Sequence, residues 1–186
     1  MQLSKAGYYS DFVVYPILVI ALLGVASPHA TWMGAREWLS GWIAGSVLWT
    51  LLEYGLHRVA LHRMRLFSPL HARHHCAPLD YIGTPTWLSI SVWLGAVLLP
   101  MWVLAGFAVA SGLTVGIMLG YWWYGIVHHM IHHRAKSSLS YFAVRRAWHM
   151  QHHYSPRRGN FGVTTTMWDH VFGTAICTGT RAAISS

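Results

Sequence analysis

Carboxylates are the scarcest chemistry in this chain. Asp11, Glu37, Glu53, Asp80 and Asp169 are the whole supply among 186 residues, and charged side chains of both signs make up only 10%. That excludes a soluble di-iron bundle, which sets paired Glu and Glu-x-x-His ligands on facing helices. Cysteine is nearly absent as well. Cys76 and Cys177 stand alone, so neither a disulfide framework nor a thiolate metal site is expected. No continuous Lys/Arg stripe lies outside the apolar runs, so the formal charge of +8 does not read as nucleic-acid binding. Gly159-Asn-Phe-Gly162 lacks the Lys-Ser/Thr ending and the preceding strand of a phosphate loop, and reads as a turn. No cleavable leader is evident: the first apolar run starts near Phe12 without a strongly basic lead-in and ends at Ser27-Pro28.

Apolar length is what the chain has instead. Hydrophobic residues make up 54%, the composition of an integral membrane protein. The pattern predicts an all-α membrane domain over 1–186, with about four transmembrane helices at roughly 12–27, 38–57, 86–105 and 110–130. The first of these is short for a full span. Pro100 is expected to kink the third helix, and a tight connection is expected between Gly106 and Gly112. Histidine-rich parts at 57–84 and 131–186 then form a helical cap on one side. Of the 13 Lys and Arg, only Arg36 falls on the opposite side. Twelve against one orients the cap to the cytoplasm.

Histidine is the other excess, with 14 residues, ten of them in four groups. His57 and His62 follow the second predicted span, and His128 and His132 close the fourth. His71-Ala-Arg-His74-His75 and His149-Met-Gln-His152-His153 share one spelling, each followed by a proline at the same offset, Pro78 and Pro156. On a helix, positions i+3 and i+4 fall about 60° and 40° to either side of i, on one face, so each stretch is expected to aim three imidazoles at one point. One tetrahedral zinc needs four ligands, whereas ten clustered histidines can saturate two ions. Imidazole suits iron, zinc, copper and nickel, which leaves the metal open.

Other residues carry paired expectations. Glu53, one turn before His57, and Asp169, beside His170, either hydrogen-bond a ligand imidazole or pair with an arginine such as Arg58 or Arg145. His133 lies behind the ligands or on the surface, and His170 is either a ligand or a structural contact supporting the ligands, the structural role being favoured. His29 and His129 are read as non-ligands. Tyr121, Trp122 and Tyr124 either line a lipid slot or belong to an interfacial aromatic belt. Arg145, Arg146, Arg157 and Arg158 either meet anionic headgroups or an acidic electron carrier, or simply obey the topology rule.

The pattern His57-x4-His62, His71-x-x-His74-His75, Tyr121-x-x-Tyr124-x3-His128-x3-His132-His133, His149-x-x-His152-His153, Phe161-Gly-Val-Thr and Trp168-Asp-His-Val-Phe-Gly-Thr174 resembles the fatty acid hydroxylase (sterol desaturase-like) superfamily. It is most similar to the fatty acid 2-hydroxylase branch. The resemblance runs from about Glu53 to Thr174. It implies a membrane-bound non-haem di-iron monooxygenase that hydroxylates a lipid acyl chain, at fatty acyl C2, with O2 and external electrons. The implied cofactors are two iron ions, for which zinc can substitute in an isolated sample. The implied partners are a membrane lipid as substrate and a separate electron carrier and reductase. By motif, the ligands would be His57, His62, His71, His74, His75, His128, His132, His149, His152 and His153, with no catalytic residue beyond them. Gly125 stands where a relative often has Asp, and His129 where Tyr is common. A desaturase or a carotenoid- or sterol-type oxidase of the same superfamily is the competing enzyme. A metal-binding scaffold or transporter is the competing class, although ligands at span ends fit poorly with permeation. The implied location is a bacterial inner membrane or the endoplasmic reticulum membrane, histidine face to the cytoplasm.

Overall fold

The structure, a computed structural model, describes residues 1–26, 31–134 and 140–176. Ser27-Pro28, where the first helix is expected to end, and His29, Lys136, Cys177 and Arg181 lie outside the described residues. Among those described the fold is helical: α1 (Lys5–Ala26), α2 (Trp32–Gly55), α3 (Ser68–Cys76), α4 (Thr86–Val92), α5 (Leu99–His133), α6 (Ser140–Tyr154) and α7 (Met167–Val171). Two wide π turns, Leu56–Leu61 and Trp93–Leu98, continue α2 and α4 without a break. Lys5–Ala26 and the stretch Thr86–His133 are long and apolar enough to cross a membrane, with hydropathies of 1.9 and 2.1. Their outward side chains form an apolar belt: Val13, Ile17, Ile20, Val103 and Leu104 are all exposed.

The first helix starts seven residues earlier than hydropathy predicts, at Lys5 rather than Phe12. The polar residues in its first turns have partners inside the bundle. Asp11 accepts hydrogen bonds from Thr86 Oγ1 at 2.5 Å and from the Tyr121 hydroxyl at 3.0 Å, which ties α1 to α4 and α5. At 22 residues the helix is about 33 Å long, enough for a span. Thr31 caps α2 by accepting from the Gly34 amide at 3.0 Å.

Pro100 has no amide hydrogen to give the preceding turn, and its ring crowds that turn. The helix accommodates this by widening into the π turn at Trp93–Leu98 just before it. The connection to the next helix is tighter than the Gly106–Gly112 estimate: the reversal falls on Gly106 alone, with φ 80° and ψ 163°. The fold-back is visible in the packing. The rings of Trp93 and Tyr121 lie 5.9 Å apart, whereas a straight helix would separate residues 93 and 121 by about 42 Å.

Gly112 belongs instead to a close contact between α2 and α5. A Cβ on Gly41 or Gly45 would overlap the carbonyl oxygen of Val109 or Leu113, and one on Gly112 or Gly116 would overlap that of Trp38 or Trp42. Two Gly-x3-Gly faces therefore meet backbone to backbone, which is how apolar helices gain van der Waals contact where no water drives them together. Gly45→Leu is expected to force α2 and α5 apart, at a cost of about 1–3 kcal/mol or more because the obstacle is backbone. Thermal unfolding of the purified protein checks this, with Gly95→Leu, where a Cβ meets nothing within 4 Å, as the neutral control.

One end of the bundle collects the polar chemistry. Leu3 and the N-terminal amine bond to the carbonyls of Tyr81 and Gly83 at 2.8 and 2.6 Å. Tyr8 packs on His129 and His133. The start of α1, segment 57–83, the end of α5, and α6 with the chain after it thus share that end.

Candidate metal centre

Ten imidazoles meet at this end, in two sets. His57, His62, His71, His75 and His152 place one ring nitrogen each within 4.8 Å of one another, and so do His74, His132, His149 and His153. His128 joins the second set through His74, Nε2 to Nε2 at 3.1 Å. The three histidines of one stretch do not converge on one point. His71 and His75 enter the first set while His74 enters the second; His149 and His153 enter the second while His152 enters the first. Helical geometry explains the split: i and i+4 differ by about 40°, but i+3 and i+4 diverge by about 100°. The helices α3 and α6 thus exchange one ligand candidate each.

The span ends supply the remaining pair of each set. His128 and His132 stand one α-turn apart on α5, with ring centroids 4.6 Å apart. His57 and His62 are five residues apart and would face about 140° away from each other on an α-helix. The π turn Leu56–Leu61 carries them to one side, where their rings stack at 5.4 Å.

The second ring nitrogens fix the orientation. His57 Nδ1 bonds the Phe161 carbonyl at 2.5 Å and His152 Nδ1 bonds the Gly159 carbonyl at 2.8 Å. An Nδ1–H given to a carbonyl leaves Nε2 as the lone-pair nitrogen, aimed at the other rings. His149 and His153 Nδ1 are buried without a hydrogen-bond partner. Tyr124 stacks on His128 with planes 14° apart.

Glu53 and Asp169 act one step further out than a direct bond to imidazole. Glu53 accepts from the amides of Val163 and Thr164 at 2.7 and 2.8 Å, and also from the Thr164 hydroxyl. Asp169 accepts from the amides of Phe161 and Gly162, both at 2.8 Å, and from Thr174 Oγ1 at 2.7 Å. Neither carboxylate forms an ion pair with Arg58 or Arg145; among the described residues the one ion pair is Arg73–Asp80. Both hold loop 159–164, whose carbonyls hold His57 and His152. Its pivot is Asn160, fully buried at φ 55°, with Nδ2 on Gln151 Oε1 at 3.0 Å. Sequence reading takes this stretch for a plain turn. The available signal was an Asn, the side chain that best tolerates left-handed backbone, next to a glycine.

The other candidates are placed as follows. His133 stacks on His129 at 4.6 Å and on Tyr81, on the α1 side of α5 and outside both sets. His170 is exposed, against the Trp148 ring. Tyr121 sits among Tyr15, Trp49 and Trp93 with its hydroxyl on Asp11, and Trp122 packs against the same core. Arg146 is engaged as a cap, donating to the carbonyls of Ile131 and Arg134 at the end of α5.

A cation fits this donor set, and a hydrogen-bond network does not. His71 Nε2 has three Nε2 neighbours, those of His57, His62 and His75, at 3.0, 3.1 and 3.0 Å. One nitrogen offers a single proton or a single lone pair, so it satisfies one neighbour at most. Burial and neighbouring imidazoles both push these rings toward the neutral, ligating form: His62 and His74 are lowered to about 4, His152 to about 3 and His153 to about 2. The sign of the pH effect follows. An unfolded histidine takes a proton near 6.5, the folded ones only near 4 or below, so the unfolded chain binds more protons throughout that window. Stability of the metal-free protein is expected to hold above pH 6.5 and to fall progressively toward pH 4, and metal retention to fall with it. Melting temperature and bound metal at pH 8, 6.5 and 5 check this; a melting temperature flat to pH 5 would contradict it.

Residues 42–174, most of this bundle and all ten imidazoles, match the fatty acid hydroxylase family. The chain belongs to that family. It is 32% identical to the fatty acid 2-hydroxylase of Rattus norvegicus over 72% of this chain and 39% of that one. It is 33% identical to a dihydroceramide fatty acyl 2-hydroxylase of Arabidopsis thaliana over 70% of this chain and 58% of that one. The chain thus spans about two fifths to three fifths of the length of these relatives. Among solved structures, full-length scs7p, in which only the hydroxylase domain is visible, superposes with a TM-score of 0.75 at 26% identity. That match covers 97% of this chain and 70% of the other.

Proposed function

We propose that this fatty acid hydroxylase family member is a membrane-bound di-iron monooxygenase that hydroxylates a lipid acyl chain, with fatty acyl C2 the position attacked. The observation that carries the reading is the paired sets of five imidazoles with their Nε2 atoms 3.0–3.1 Å apart. Five imidazoles per set exceed the four ligands of a tetrahedral structural zinc, which supports a higher-coordinate ion such as iron. The relatives, a fatty acid 2-hydroxylase and a dihydroceramide fatty acyl 2-hydroxylase, point to the acyl chain of a fatty acid or ceramide-type lipid.

In this reading His57, His62, His71, His75 and His152 hold one ion and His74, His128, His132, His149 and His153 hold the other. Two bound irons would supply dioxygen activation and the oxidising power that breaks an acyl C–H bond, fed with two electrons by an external carrier and its reductase. The chain's own residues do the positioning. Phe161 and Gly159 fix the tautomers of His57 and His152. Tyr124 holds the plane of His128. The apolar helices exclude water and bring the acyl chain to the polar end.

Four spans account for the geometry: α1, α2 with its π turn, α4 through residue 105, and residues 107–133. An even number of spans would return all four histidine groups to one face, and the Lys/Arg count supports a cytoplasmic orientation for it. Expression of the chain followed by lipid mass spectrometry, with His152→Ala as control, tests the function. A hydroxylated product gains one oxygen, whereas a desaturated one loses two hydrogens; unchanged lipids would reject the reading.

A further inference from the structure

Among the described residues of the polar end, Arg145 is the one buried arginine, and no anion lies beside it. Only 9% of it is exposed, and among the described residues it makes no hydrogen bond or ion pair. Its side chain lines a cleft between α6 and the 164–166 segment, with Ser140, Tyr141, Val144, Thr164, Thr165 and Thr166 as the other walls. Glu53 spends its oxygens on Val163 and Thr164. Arg146, the next residue along, is occupied by two carbonyls. No guanidinium nitrogen of Arg145 is sealed away from water; the buried part is the stem, and the unpaired fork opens on the cleft, ready to donate to an oxyanion that enters it. Thr165 Oγ1 accepts from the Met167 amide at 3.2 Å, which leaves its hydroxyl proton free to donate.

The depth of the cleft narrows the ligand. Tyr141 and Phe142 pack on Trp123, ten residues before the end of α5, at 6.0 and 6.1 Å. Trp168 donates to Thr50 Oγ1 at 2.9 Å, on the body of α2. The cleft therefore sits beside the spans rather than out beyond the histidines, at the level where Trp and Tyr mark the headgroup region. Val144 and Met167 are exposed and make the rim apolar. A planar fork of donors under an apolar rim at this level matches a phosphate oxyanion with acyl chains attached.

We propose that the Arg145 cleft binds the phosphate of an anionic phospholipid from the surrounding leaflet, clamping α6 to the bilayer. This rests on the membrane reading above but not on the hydroxylation chemistry, so it can fail while that chemistry stands. The test is native mass spectrometry of the metal-loaded protein titrated with phosphatidylglycerol, phosphatidylcholine or inorganic phosphate. One phosphatidylglycerol per chain is expected to bind at least about tenfold more tightly than phosphatidylcholine. Arg145→Gln is expected to remove that one lipid, and Arg145→Lys to retain it with reduced affinity. Because Arg145→Gln can also unsettle α6, Val144→Asp serves as the second variant. It puts a like charge at the exposed rim without touching the core, and is expected to weaken the same lipid about tenfold with metal content unchanged. Equal phosphatidylglycerol binding by the native chain and Val144→Asp overturns the proposal. So does displacement of the lipid by millimolar inorganic phosphate, which would make this a site for free phosphate.

Discussion

His71→Ala and His152→Ala are expected to lose the same metal ion, and His74→Ala and His149→Ala the other. Each single variant should carry about one ion per chain and hydroxylate at background level. The double variant His71→Ala/His152→Ala should still carry one ion, whereas His71→Ala/His74→Ala should carry none. This outcome separates the crossed arrangement from the one the sequence alone suggests, in which each H-x-x-H-H stretch serves a single ion. In that older arrangement His71→Ala and His74→Ala would behave alike. The crossed outcome follows from His71 Nε2 lying 3.0 Å from His57 and His75 in one set, while His74 Nε2 meets His128 at 3.1 Å in the other. Metal analysis of the six purified proteins, loaded anaerobically with ferrous iron, decides it. Loss of both ions in every single variant would show one indivisible cluster instead.

The second large effect concerns a residue that touches no metal-ligand candidate. Asp169→Ala removes the acceptor for the amides of Phe161 and Gly162 and for the Thr174 hydroxyl, all around a fully buried carboxylate. Each buried amide left without an acceptor costs about 1–3 kcal/mol. The loop these bonds hold then no longer presents the Phe161 and Gly159 carbonyls to His57 and His152. Both rings belong to the first set. Iron affinity there is expected to drop about 10–100-fold, as when an orienting partner behind a ligand is removed, while the second set keeps its ion. Asp169→Asn retains one acceptor oxygen and should fall between the two. Iron titrations that weaken both sites equally would mean that the variant acts by general unfolding.

The ten grouped histidines and the helical class were legible because both announce themselves in one dimension, as residue type and as apolar length. The distribution of those histidines was not, because it depends on how α3 and α6 face each other and on a π turn that re-aims His57 and His62. Period-3.6 reasoning has no means of placing a widened turn; the structure shows it where an i, i+5 pair must share a face. Glu53 and Asp169 stand out in the sequence as partners for a ligand imidazole or an arginine, but the structure gives them backbone amides, more than 100 residues away for Glu53 and seven or eight away for Asp169. Backbone donors carry no sequence signature, so a side-chain partner was the only one a reader of residues could name. Gly106 and Gly112 looked alike as turn formers. Packing separates them: one reverses the chain and the other is pressed against Trp38.

The most direct measurement of the central claim is isotopic. Membranes containing the chain, supplied with reductase, electron carrier and an acyl lipid, are incubated under 18O2 and the product is analysed by mass spectrometry. Di-iron hydroxylation at C2 predicts a 2-hydroxyacyl lipid carrying one 18O atom, formed by the native chain and not by His152→Ala. Product oxygen drawn from water, or an acyl chain that loses two hydrogens and gains no oxygen, would contradict it.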